Sequence, residues 1–71
     1  MKSIELVVGS PVDYKELVVY LRYEEQYLAL IQKEDGIDNM KIEFFELEKE
    51  AKLDLNEFLS AIQEAKKTLL K

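Results

Sequence analysis

Hydrophobic and polar positions alternate from the first residues of the chain. In SIELVV (3–8), Ile4, Leu6 and Val8 fall on one side, the two-residue period of a strand. GSP at 9–11 interrupts it. Ser10-Pro11 with Asp13 three residues on resembles a helix N-cap, so one long helix across 10–31 has to be weighed. Against it, ELVVYLRY (16–23) and YLALIQKE (27–34) are dense in Val, Tyr, Leu and Ile and flank a polar EEQ. That pattern favours two strands with a tight connection. DGIDN (35–39) carries an Asp-Gly turn, MKIEFFEL (40–47) reads as a fourth strand, and EKEAK follows as a polar loop.

The last segment changes period. In LDLNEFLSAIQEAKKTLLK, Asp54 is placed to cap a helix, with Glu57 closing the capping box and Leu53 and Phe58 at the staple positions. Leu55, Phe58, Leu59, Ile62, Ala65 and Leu69 form one apolar stripe. Asp54 and Glu57 open the helix and Lys66, Lys67 and Lys71 close it, both favourable to its dipole.

These elements predict an α+β fold of one domain over 1–71: a small antiparallel four-stranded sheet with one C-terminal helix, ββββα. One helix covers one face of a sheet. Yet the second strand is apolar on both sides, with Leu17, Val19 and Leu21 opposing Val18 and Tyr20. In the third, Tyr27, Ala29 and Ile31 oppose Leu28 and Leu30. A sheet face open to water alternates more cleanly than this. The expectation is a homodimer, or another protein, over the second face.

Composition narrows the chemistry. Seventy-one residues bury only about 60% of the surface of the unfolded chain, so a partner or second copy would help. Cysteine and histidine are both absent. That removes disulfides, thiolate metal sites, the usual zinc ligand and the usual acid–base group at neutral pH. No apolar run is long enough to span a bilayer, and the apolar-leaning stretch in MKSIELVVGSP is too short for the core of a signal peptide. The expectation is a soluble, cytoplasmic protein with no membrane association and no cofactor.

The formal charge is −5, and all of it belongs to one segment. EDGIDNMKIEFFELEKE (34–50) holds seven acids and two bases, whereas the rest of the chain balances at eight of each. An EF-hand needs acids at alternating positions before its glycine, and here Gly36 directly follows Asp35, so a calcium site is not expected. Glu43 and Glu46 have no nucleophile, oxyanion donor or histidine beside them, so catalysis is not expected either. Neither glycine lies in a phosphate-cradling loop. Two readings of the run remain. It is a solvated edge whose charges prevent aggregation, or an electronegative surface that steers a basic protein partner. In the second, Glu34, Asp35, Asp38, Glu43, Glu46, Glu48 and Glu50 supply attraction, and Tyr20, Tyr23 or Phe45 supply apolar anchors.

Tyr20, Tyr23 and Tyr27 surround the predicted hairpin, with Arg22 between two of them, an arrangement compatible with stacking on a single-stranded nucleic acid. The ββββα order is similar in topology to single-strand-binding transcriptional coactivators. The charge opposes that use, since only Lys15, Arg22 and Lys33 lie near those strands.

The run from ELVVYLRYEEQYLALIQKEDGIDNMKIEFF to LDLNEFLSAIQEAKKTLL resembles the small acidic immunity proteins of bacterial toxin–immunity systems: hairpin, acidic turn, strand, capped terminal helix. The resemblance covers most of the chain and implies a non-catalytic protein that binds and blocks one toxin, often a basic nuclease. It carries no contact residues over. The leading expectation is therefore an immunity- or inhibitor-type module that blocks a basic partner. The alternatives are a homodimeric structural or regulatory subunit, or a single-strand-binding module.

Overall fold

The computed structural model describes residues 3–70 and has the expected ββββα order. Strands β1 (Glu5–Gly9), β2 (Val18–Tyr23), β3 (Gln26–Gln32) and β4 (Lys41–Phe44) form an antiparallel meander, each paired with the next in sequence. The 10–31 region is thus a hairpin and not a helix. The fourth strand is shorter than MKIEFFEL, and a 3-10 turn, Ile37–Asn39, precedes it. Helix α1 (Leu55–Leu70) follows; Lys71, expected to close it, lies outside the described residues.

The local chemistry accounts for these elements. At the start of α1, Asp54 Oδ2 accepts the Glu57 N–H at 3.0 Å, and the Asp54 carbonyl accepts the Phe58 N–H at 2.9 Å. At its end, the Lys33 ammonium donates to the Leu69 carbonyl at 2.7 Å, satisfying a terminal acceptor with a cation. Turn Lys33–Gly36 is closed by the Gly36 N–H on the Lys33 carbonyl, and Gly36 takes φ of 99°, where a side chain would be strained.

Helix α1 packs over β1, β2 and β3. Val19, Ile31, Ala65 and Leu69 form one half of the core, and Leu21, Leu28, Ala29 and Ala61 the other. Alanines at 61 and 65 let the helix approach the sheet closely. The buried stripe is narrower than the apolar one: Leu55 and Leu59, expected in the core, face outward at 69% and 51% exposure. Phe58 and Ile62 pack against the core half-buried.

A bulge revises the assignment of faces on β3. Leu21 pairs with Ala29 and Arg22 with Tyr27, so Leu28 is the extra residue. Leu28 joins Ala29 on the helix side, and Tyr27 moves to the far side beside Tyr20, the reverse of simple alternation.

Part of the far face is covered within the chain itself. Val18 and Leu30 lie outside both helix-side clusters yet are 0% and 4% exposed. The chain's own 10–17 segment is fastened to this side of the sheet. The Glu34 carboxylate accepts the backbone N–H groups of Lys15 at 2.9 Å and Glu16 at 2.8 Å. Tyr14 reaches across to donate its hydroxyl to Glu43, 2.8 Å from Oε2. Half of the face expected to need a partner is therefore closed from within.

Among the described residues, no helix is long and apolar enough to cross a membrane.

Candidate functional site

The other half of the far face remains open. A two-residue turn, Glu24-Glu25, joins β2 to β3 with φ of 49° and 67°. Positive φ at both positions matches the twist of a hairpin, but such turns favour Asn-Gly because bulkier residues are strained there. Next to this turn the bulge sends Tyr27 to the far face. Its ring centroid lies 5.3 Å from that of Tyr20. Phe45, just past β4, also stacks on Tyr20, at 6.3 Å and 21°, within the range of aromatic attraction.

The Phe45 backbone is held by its N–H on the Leu28 carbonyl at 2.9 Å. The three rings floor a groove of about 400 Å³ whose polar lining is Glu25, Gln26, Glu46 and Glu48. The Gln26 amide donates to the Lys49 carbonyl at 3.2 Å, fastening the 45–50 segment, and its Oε1 is buried without a hydrogen-bond partner among the described residues. The Arg22 guanidinium stands 6.0 Å from the Tyr27 ring and 3.2 Å from Glu5 Oε1. A cation is thus already seated on one of these rings.

The acidic run divides by what each carboxylate touches. Glu34 clamps the 10–17 segment. Asp35 pairs with Lys41 across the turn before β4. Glu43 accepts from Tyr14 and from Gln32 Nε2, the latter at 3.1 Å. These three are fasteners within the fold. Glu46 and Glu48 rim the groove. Asp38, in the 3-10 turn, lies by a separate cleft between β4 and α1, and Glu50 is exposed. The hydrogen bond to Glu43, with partial desolvation, raises the Tyr14 hydroxyl above its ordinary value of 10.0.

Of the expected anchors, Tyr20 and Phe45 meet in the groove, whereas Tyr23 packs on the helix-side core. Tyr27 and Glu25 complete the site without having been singled out as anchor or acid. The bulge that places Tyr27 has no signature in the residue pattern. Glu25 was legible in principle, since a two-residue hairpin turn ends beside the first residue of β3.

Among the described residues the groove lining presents acceptors and π faces and no cationic side chain, with Arg22 beside it over the Tyr27 ring. Such a lining attracts cations and repels phosphates. Among the described residues, no three carboxylates converge to hold a metal ion. No protein-family model, curated protein or solved structure matches this chain.

Proposed function

We propose that this chain is a non-catalytic binding module that blocks a basic protein partner, in the manner of an immunity protein or inhibitor. The observation that carries the reading is the acid-rimmed aromatic groove: Tyr20, Tyr27 and Phe45 under Glu25, Glu46 and Glu48. An arginine or lysine side chain of the partner would enter it. The stem would lie on the rings, and the head would meet the carboxylates of Glu25, Glu46 and Glu48. The acids set the rate and selectivity of encounter, and the rings supply the dry contact that slows release. Single-stranded nucleic acid would also find stacking surfaces here, but three carboxylates around the rings oppose its backbone.

The test is affinity purification from the native host with two baits, the wild type and Glu46→Lys/Glu48→Lys, followed by mass spectrometry and titration of the recovered partner. A basic protein retained stoichiometrically by the wild type and lost by the variant supports the reading. Equal retention by both baits, or recovery of nucleic acid instead, sinks it.

A further inference from the structure

Strand β4 ends the sheet, and among the described residues no strand pairs with its outer edge. Its backbone direction is fixed. The Phe45 N–H points to β3, bonding the Leu28 carbonyl, and Glu43 and Lys41 pair with Leu30 and Gln32. Alternation turns the N–H and C=O groups of Ile42 and Phe44 outward, and Met40, extended at φ −62° and ψ 143°, continues the row. On the helix side Ile42 packs partly buried against the core, and the end of the edge at Phe44 is bare. With α1 packed mainly on β1 to β3, Phe44 is 70% exposed and shares a cleft with the exposed Leu55 of the helix. Apolar clefts of about 280 Å³ run on either side, one lined by Met40 and Ile42 and the other by Phe44 and Leu55.

We infer that this edge is a homodimer interface, in which β4 pairs antiparallel with β4 of a second copy about a two-fold axis at Ile42. Charge selects both the occupant and the register. Outward-facing residues have to oppose outward-facing residues, which leaves three registers. Ile42 opposite Met40 of the second copy sets Lys41 against Lys41. Ile42 opposite Phe44 sets Glu43 against Glu43. Ile42 opposite Ile42 sets Lys41 against Glu43 of the other copy, twice, and places both Met40–Phe44 pairs in hydrogen-bonding positions. The strand is self-complementary in that register alone.

The two-fold axis is perpendicular to the sheet, so both helices lie on one side. The exposed Phe44 and Leu55 of the two copies then face each other over the seam of an eight-stranded sheet. This interface lies at the strand edge and not on the far face, where the 10–17 segment is already fastened. It does not rest on the groove's proposed role.

Light scattering after size exclusion tests it first. The wild type should run at twice the 8.3 kDa of one chain. Lys41→Glu sets Glu against Glu, and Glu43→Lys sets Lys against Lys. Each alone should fall to one chain mass, and an equimolar mixture should recover the dimer, because opposite charges then face again at both places. Glu43→Lys also removes the acceptor of Tyr14 and Gln32, and Lys41→Glu removes the partner of Asp35, so a second measurement that leaves both side chains in place stands beside them. Met40→Cys and Phe44→Cys are placed about 5.5 Å apart between Cα atoms across this register, within disulfide reach. In a cysteine-free chain, oxidising their mixture should give a covalent heterodimer, and oxidising either alone should give little. A wild type of one chain mass at high concentration overturns the dimer. Equal crosslinking of the single variants and the mixture overturns the register.

Discussion

The ring of Tyr20 lies against Gly9: a β-carbon built on Gly9 would come within 2.8 Å of Tyr20 Cε2. Glycine at the end of β1 is therefore what lets the ring that both Tyr27 and Phe45 contact settle on the sheet. Gly9→Ala should push that ring outward. The expected stability change is within about 1–2 kcal/mol, because overpacking is relieved by a side chain that can move. The expected change in ring positions is large by comparison. NMR shifts of Tyr20, Tyr27 and Phe45 that move together, with a melting midpoint close to the wild type, are the predicted result. Unmoved aromatic signals would mean that the contact is slack.

The clamp on the 10–17 segment should be separable from the rest of the fold. Glu34→Ala removes the acceptor of two backbone N–H groups and should cost roughly 1–3 kcal/mol. Hydrogen exchange should then rise at Val18 and Leu30, on the side of the sheet where the segment is fastened, and not at Ala65. Tyr14 adds a pH dependence. Its hydroxyl titrates above 10.0 in the fold, so its contact stabilises fully below about pH 10 and is lost as the pH rises through the raised value. Tyr14→Phe should abolish that alkaline loosening. If exchange at Val18 responds to alkaline pH equally in both proteins, another group is responsible.

Stability and binding should oppose each other at the β2–β3 turn. Glu25 holds φ of 67°, a conformation that costs an ordinary residue about 1–2 kcal/mol and glycine little. Glu25→Gly should therefore raise the urea midpoint. The same substitution removes one carboxylate from the groove and should weaken association with a basic partner. Strain kept at the rim of a site is expected when the side chain is wanted for something other than folding. A more stable variant that binds as tightly as the wild type would deny Glu25 that role.

Charge reversal should act on kinetics if the groove is a docking surface. Glu46→Lys with Glu48→Lys leaves the fasteners Glu34, Asp35 and Glu43 intact and should shift stability by no more than about 0.5 kcal/mol. The association rate with the basic partner should fall by roughly ten-fold or more at low ionic strength, and its salt dependence should flatten. Had the acidic run been only a solvated edge, the rate would not respond. Glu43 is unsuited to this experiment, because its carboxylate holds Tyr14 and Gln32.

The parts of this fold visible in the residue pattern are those decided within a few residues. The N-cap at Asp54 and the period-two runs on either side of Glu24-Glu25 are local, and both elements stand where the pattern puts them. What escaped depends on contacts made across the chain. The bulge at Leu28 is set by pairing with Leu21 and Arg22, so alternation alone misplaces Tyr27 and Leu28. The fastening of the 10–17 segment depends on Glu34 meeting Lys15 and Glu16, and composition sees only another acid there. Leu55 and Leu59 belong to the apolar stripe but not to the core, because the helix turns Ala61, Ala65 and Leu69 to the sheet instead. The seven acids read as one cluster in the sequence. In three dimensions they are fasteners, a rim and an exposed remainder.

The meander order β1-β2-β3-β4 has a consequence for how fast the molecule is made. Every strand finds its neighbour through a short loop, so little chain entropy stands between the unfolded state and the paired sheet. The β2–β3 hairpin is the natural first structure. The Lys33–Leu69 contact spans 36 residues, and docking of α1 has to wait for a sheet to receive it. The clamp from Glu34 to the 10–17 segment likewise closes only on a hairpin already formed. In a chevron measured in urea, Glu34→Ala should speed unfolding and leave the refolding arm nearly in place. Slowed refolding would instead put the clamp in the nucleus.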